Sequence, residues 1–330
     1  MPGKTKIWLG ICGGIFLLAC SFWIIQQAIT VNKVSASGNV DKDSSNADYS
    51  DHADNVRSSY RIFSPPVPDS MDFAGENVPL NETDVYERFE KELIINTYYH
   101  SSTVFFHKRA ARWFPVIEPI LKEEGVPDDL KYLALIESAL DNVVSPAGAA
   151  GFWQFMPATA KEYGLEVNSY VDERYHLEKV TRAACRLLKE GNRKFGSWTL
   201  SAAAYNMGMG GVQSRMNEQP DSRRYYDLLL PEETMRYVFR IVAVKQIMTH
   251  SADYGFRFRP VDLYQPYDVK MVEVKETIAD LRSFAKQNGC SYRLLKVLNP
   301  WLRGDKLPVS SGKTYQVLLP GQKFNSRAAL

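Results

Sequence analysis

The segment from Asp128 to Leu140 holds the residue best placed for chemistry. Leu130, Leu133, Ala134, Glu137 and Leu140 fall at i, i+3, i+4, i+7 and i+10, on one face of a helix. Glu137 therefore stands inside an apolar stripe, where desolvation disfavours the ionised carboxylate and raises its pKa. A carboxylic acid that keeps its proton near neutral pH is what a general acid requires. A structural glutamate, capping a backbone group or paired with a buried arginine, fits the same pattern. Asp128 and Asp129, just after Pro127, read as caps suited to the positive end of the helix dipole. Asp141, four residues on, lies on nearly the same helix face as Glu137.

Two more segments offer groups to a cleft. In the run from Ser145 to Ala160, Gly148 and Gly151 permit tight backbone approach, and Pro157 suits the first turn of a helix. Gln154 sits there among Phe152, Trp153, Phe155 and Met156, a polar amide in an aromatic and apolar wall. Such a wall suits the flat C–H faces and hydroxyls of a sugar, although a core loop with packed aromatics has the same composition. In the second segment Ala202-Ala203-Ala204 precede Tyr205 and Asn206 at a helix end, just before a glycine-rich turn. A phenol and an amide can be presented there, and a plain helix-end asparagine is the simpler reading of Asn206.

The elements that position these groups are helical. Between Val85 and Tyr254 apolar residues recur at three and four, as in Val85, Tyr86, Phe89, Leu93 and Ile94. Similar stripes predict helices over Phe105–Lys122, Asp128–Leu140, Leu177–Lys194, Trp198–Met207 and Glu232–Thr249. Short glycine- and proline-bearing turns join them, which indicates one all-α domain.

The chain has 330 residues, 45% hydrophobic, enough to bury a sizeable core. Forty Lys and Arg against 38 Asp and Glu leave a formal charge of +2, which excludes an overall basic nucleic-acid binder. The four cysteines lack a C-x-x-C spacing and the five histidines lack ligand spacing, so no metal site is expected. Lys4 and Lys6 precede an uncharged run from Ile7 to Ile25, roughly 28 Å long as a helix and close to a bilayer's hydrocarbon thickness. An uncleaved membrane anchor over residues 1–30 is the first reading. Leu17-Leu18-Ala19-Cys20-Ser21 also resembles a lipobox that would be lipidated at Cys20, and a plain secretory signal is a third. All three export the rest of the chain. Residues 31–80, rich in Ser, Asp and Asn with Ser64-Pro65-Pro66-Val67-Pro68 near the end, are expected to form a disordered linker.

Four ordered blocks carry a family resemblance: Ile136-Glu137-Ser138; Gly148 to Pro157; Ala204-Tyr205-Asn206; and Glu233-Thr234 with Tyr237-Val238. Their order and spacing resemble the lytic transglycosylases, the goose-lysozyme-like enzymes of bacterial cell-wall turnover. Gly151-Phe152-Trp153-Gln154 is most like the membrane-bound lytic murein transglycosylase D branch. The resemblance implies a lysozyme-like catalytic domain over residues 81–258, with Glu137 as its single catalytic acid and base and Ser138 as its motif partner. It places Ser145, Gln154, Met156, Tyr205, Asn206 and Tyr237, together with Ser138, along the substrate. It further implies that Glu137 protonates the oxygen between N-acetylmuramic acid and N-acetylglucosamine. Glu137 then deprotonates the muramoyl C6 hydroxyl, giving a 1,6-anhydro product with no cofactor. The implied partners are peptidoglycan glycan strands and, through the N-terminal segment, a membrane; the implied location is the periplasmic side of the bacterial envelope.

Beyond Pro260 the pattern changes. Val269–Val274 and Tyr315–Leu319 are β-prone, with helical stretches Thr277–Asn288 and Tyr292–Leu298 between them. This small α+β unit, βααβ over residues 264–322, resembles a LysM module, a peptidoglycan-binding domain. Leu298-Asn299-Pro300 and the terminal strand match its pattern, while Lys275-Glu276-Thr277 replaces the usual Gly-Asp-Thr. A goose-type muramidase that uses water, and a non-catalytic wall-binding protein, are the alternatives. The fold class expected is thus mainly α, with a small α+β module at the C-terminal end.

Overall fold

The computed structural model describes residues 62–324. The expected anchor, the lipobox at Cys20 and most of the linker lie outside them. Among the described residues no helix is long and apolar enough to cross a membrane.

The helical body is organised around one helix that is apolar on nearly every side. Tyr237, Val238, Phe239, Ile241, Val242, Ala243, Val244 and Ile247 are all buried in the helix Glu232–Thr249, as a helix enclosed by others must be. In chain order the helices are α1 (Thr83–Tyr98), α2 (His100–Glu123), α3 (Lys131–Ser138), α4 (Pro157–Glu162), α5 (Leu177–Phe195), α6 (Trp198–Met207), α7 (Met209–Glu218) and this central helix, α8. Helix α8 packs on α1, α3 and α6, while α5 packs on α2 and α6. The α5–α6 approach is close: a Cβ on Gly191 would lie 2.6 Å from the Ser201 hydroxyl. Gly196, at φ 69°, ends α5, and the Ser197 side chain caps α6 by accepting from the Leu200 amide. Helices α6 and α8 have the bounds their sequence stripes predict.

Two expectations are corrected here. Residues 64–80 do not behave as linker throughout. Strands β1 (Met71–Phe73) and β2 (Glu76–Val78) form an antiparallel hairpin, and Met71, Phe73, Val78 and Leu80 enter the main core. Ala74 and Gly75 both have positive φ, the two-residue turn that matches strand twist. Three-residue strands show too little alternation to be read in sequence. Asp128 and Asp129 do not cap by side chain; the turn over Asp128–Leu130 has no such bond. Asp129 instead accepts from the Ala74 amide and from Lys245, and Asp128 pairs with Lys131, so the two acids tie the hairpin and α8 to the start of α3.

A second core lies in the C-terminal module, where β3 (Val269–Val274) pairs antiparallel with β4 (Tyr315–Pro320) around α9 (Leu281–Gln287) and α10 (Tyr292–Leu298). Helix α9 is shorter than the stretch Thr277–Asn288 because the Asp280 side chain accepts from the Arg282 and Ser283 amides and starts the helix late. Buried Asn299 bridges α10 to β4, donating to the Leu295 and Leu318 carbonyls and accepting from the Leu318 amide. Ala150, Val171 and Tyr175 of the helical body are part of this second core.

Candidate active site

Helix α3 is only eight residues long, and every residue in it is buried except Glu137, which is partly exposed. One helix thus carries a single outlet for a carboxylate. The helix stops immediately beyond: Ala139 and Leu140 both adopt the left-handed conformation, at φ 54° and 53°. For residues with a Cβ this strain is on the order of 1–3 kcal/mol each. It turns Leu140 into the core after the helix end rather than along the helical face. Asp141, beyond the turn, is exposed and pairs with Arg109 at 2.8 Å.

Burial pushes the Glu137 pKa up. A hydrogen bond donated by the Tyr237 phenol to Oε1 and the positive charge of Arg240 offset part of that rise, while the negative charge of Glu233 adds to it. Arg240 also donates to the Ile136 carbonyl at 3.2 Å, which holds its guanidinium beside α3. The Tyr205 and Tyr237 phenols are both held well above the ordinary tyrosine range, first by burial and then by the charge of Glu137. Both remain protonated donors. Tyr205 donates to the Trp153 carbonyl at 2.6 Å. Asn206 accepts from the Thr234 hydroxyl at 2.7 Å and donates to Glu233 at 3.3 Å, so its amide orientation is set by α8.

The loop after α3 completes the site. Ser145 and Ala149 pair through their backbones, and the Ser145 hydroxyl accepts from the Ala149 amide. Gln154, at φ 48°, donates its side-chain amide to the carbonyls of Val143 and Gly151. Met156 is exposed at the start of α4, where Pro157 takes the first-turn position.

The residues divide into two groups. Glu137, Tyr205, Asn206 and Tyr237 are gathered from α3, α6 and α8, with Ser145, Gln154 and Met156 on the adjoining loop. Ser138 is not in the opening: it is buried, and its hydroxyl donates to the carbonyls of Ala134 and Phe152. It fastens the loop to α3. The aromatic wall is also corrected, since Phe152, Trp153 and Phe155 are core residues and the Trp153 indole donates to Thr181. Packing of a dense aromatic run outweighs its use as an open platform.

Several contributors carry no sequence signal of their own. Glu233 and Thr234 sit in a quoted block, but their contact with Asn206 depends on how α6 meets α8. Arg174 donates to the carbonyls of Gly148 and Phe155, at 2.8 and 3.1 Å, and is paired with Asp172 at 2.7 Å. Gly151, at φ 77°, lies so close that a Cβ would be 2.1 Å from the Arg174 carbonyl oxygen. Among the described residues no cluster of His, Cys, Asp and Glu has the arrangement of a metal site. A cavity of about 600 Å³ at the junction with the C-terminal module reaches this region through Leu140, Asp141 and Asn142.

Comparison with known proteins bears on both modules. The family model described as the transglycosylase SLT domain matches residues 114–227. The model described as the soluble lytic transglycosylase C-terminal LysM-like domain matches residues 270–323. The chain is 29% identical, over 315 residues, to membrane-bound lytic murein transglycosylase D of Escherichia coli strain K12, covering 93% of this chain and 66% of that protein. It therefore spans just under two thirds of that relative's length. It is 31% identical over 106 residues to a putative tributyltin chloride resistance protein of Alteromonas sp. strain M-1, covering 32% of this chain and 51% of that protein. Among solved structures, the 70 kDa soluble lytic transglycosylase Slt70 of Escherichia coli aligns with a TM-score of 0.35 and 22% identity over 47% of this chain and 27% of that one.

Proposed function

We propose that this chain, which carries a transglycosylase SLT domain and a C-terminal LysM-like domain and is homologous to membrane-bound lytic murein transglycosylase D, is a peptidoglycan lytic transglycosylase acting through Glu137. The observation that carries the reading is Glu137 itself. It is the one carboxylate on a buried helix, with its pKa raised by burial and a phenol bonded to it.

The chemistry follows from that environment. Protonated Glu137 gives its proton to the glycosidic oxygen between N-acetylmuramic acid and N-acetylglucosamine, and the C1–O bond breaks toward an oxocarbenium-like state. The carboxylate left behind is stabilised by the Tyr237 hydrogen bond and by Arg240. As base it takes the proton of the muramoyl C6 hydroxyl, whose oxygen closes on C1. Glu137 ends the cycle protonated and no water is consumed. Tyr205 and Asn206, oriented by the Trp153 carbonyl and by Thr234, are positioned to hold the sugar in place. Ser145, Gln154 and Met156 line the approach. The LysM-like domain and an N-terminal anchor or lipid within residues 1–30 would keep the enzyme at the wall on the periplasmic side.

A hydrolytic reading, the goose-type muramidase, has one observation in its favour: Glu233 is a second carboxylate whose charge reaches Glu137. The products separate the two. Digestion of purified peptidoglycan followed by mass spectrometry should give 1,6-anhydromuramoyl ends. Reducing muramic acid ends alone would establish the hydrolase instead.

A further inference from the structure

The C-terminal module meets the helical body at α2, where Arg112 donates to the Gln265 carbonyl and the Tyr267 phenol, and along residues 166–176. The Asp172 amide donates to the Trp301 carbonyl at 2.9 Å, and the Arg303 amide donates to the Tyr170 carbonyl at 2.8 Å. Val171 and Leu302 form a β-bridge. Glu166 accepts from Lys313 at 2.6 Å and from the Tyr315 phenol at 2.8 Å. Ala150 and Val171 contribute side chains to the module's own core. The module is built into this stretch.

The same stretch holds the loop beside Glu137. Buried Arg174, locked by Asp172, reaches the carbonyls of Gly148, midway along that loop, and of Phe155, near its end. Gly151, between them, leaves no space for a Cβ against the Arg174 backbone. Thus Asp172 is gripped by the module through its amide and grips Arg174 through its carboxylate. A continuous set of hydrogen bonds and packed side chains runs from Trp301 and Leu302 to the loop that carries Ser145, Gln154 and Met156.

We propose that the C-terminal module acts as a brace for the catalytic loop, with Arg174 as the positioning residue that transmits it, so that docking of the module sets turnover. The effect on turnover rests on the transglycosylase reading; the effect on the loop does not. Geometry at this level matters because a displacement of about 1 Å at a catalytic group can cost on the order of 100-fold in rate.

The test uses the full chain and two sites of intervention. Arg174→Gln removes the clamp, and Arg174→Lys keeps the charge but loses the paired Nε and Nη2 bonds to Asp172 that aim Nη1 at both carbonyls. Gly304→Leu acts from the module side, because a Cβ there already lies 2.7 Å from the Tyr170 ring; Gly304→Ala is the milder version if the larger residue impairs folding. Amide hydrogen exchange is followed at Gly148, Ala150 and Gly151, and kcat and KM are measured on soluble glycan strands. Exchange at these amides should accelerate in both Arg174→Gln and Gly304→Leu. The kcat should fall by about 10- to 100-fold in the first and by less in the second, with KM and binding to sacculi little changed. The brace is disproved if Gly304→Leu loosens residues 166–176 yet leaves loop exchange and kcat at wild-type values. If the wild-type chain forms no anhydro product, the enzymatic reading fails, and the exchange data alone still decide whether the module braces the loop.

Discussion

The phenol of Tyr237 donates a hydrogen bond to the carboxylate of Glu137 from a helix one hundred residues further along the chain. Tyr237 is buried and its phenol stays protonated, so the bond stabilises the ionised acid that remains after a proton has been given away. Burial works in the opposite direction and favours the protonated acid. An acid that also serves as base, the role proposed for Glu137, needs both influences.

Glu137→Gln retains the shape of the side chain and removes its proton chemistry. Turnover of peptidoglycan should fall by about 10²–10⁴-fold or more, the range typical for loss of a general acid or base. Circular dichroism and glycan binding should match wild type. Normal turnover in this variant would end the assignment of Glu137.

Tyr237→Phe and Glu233→Gln should move the same pH profile in opposite directions. The phenol lowers the Glu137 pKa, so its loss moves the alkaline limb of kcat to higher pH. The Glu233 charge raises it, so neutralising Glu233 moves that limb to lower pH. Tyr237→Phe should also reduce kcat by about 10- to 100-fold, the scale of a hydrogen bond to a charged group. Shifts of the same sign would show that these two groups do not control Glu137.

Gly151→Ala tests the seat of the loop. The position has φ 77° and its added Cβ would fall 2.1 Å from a backbone oxygen, which no side-chain adjustment relieves. The loss should exceed about 2 kcal/mol, as for other backbone clashes and strained positions. Chemical denaturation measures it, and a loss below about 0.5 kcal/mol would mean that the turn carrying Arg174, Glu173–Tyr175, moves freely.

His107 and His176 are both held down to about 4, from an ordinary value of 6.5, by burial. The unfolded chain then takes up protons first. The stability each provides as a neutral ring is complete above pH 6.5 and is lost as pH falls from there toward 4. Tm should decline over that interval, and its upper part, from pH 6.5 to about 5.5, lies above the range in which ordinary carboxylates titrate. His176, packed at 5.7 Å from the Trp301 ring, can be replaced by Phe to flatten the decline. An unchanged slope would refute its share.

Local rules made several elements legible. Helices α6 and α8 and strand β3 occupy the residues their periodicities indicate, because spacing of apolar residues reports which side of an element is buried. Glu137 stood out for the same reason, as an acid in an apolar stripe. Strands β1 and β2, too short to show a period, did not. The sequence also offered Ser138, Phe152, Trp153 and Phe155 to the cleft, and the structure put all four in the interior. Nothing in a linear pattern distinguishes an aromatic that packs from one that waits for a ligand. That choice is made when α3, α5 and α6 come together and the indole of Trp153 finds Thr181. By itself the sequence determined the helical content, the isolated acid and the small α+β unit at the end, since each follows from the burial preference of neighbouring residues. Tertiary structure alone decided that Tyr237, Arg240 and Glu233 set the acid's proton affinity and that Arg174 holds the loop. Those contacts join residues far apart in the chain, and their energies depend on distance and burial rather than on sequence spacing.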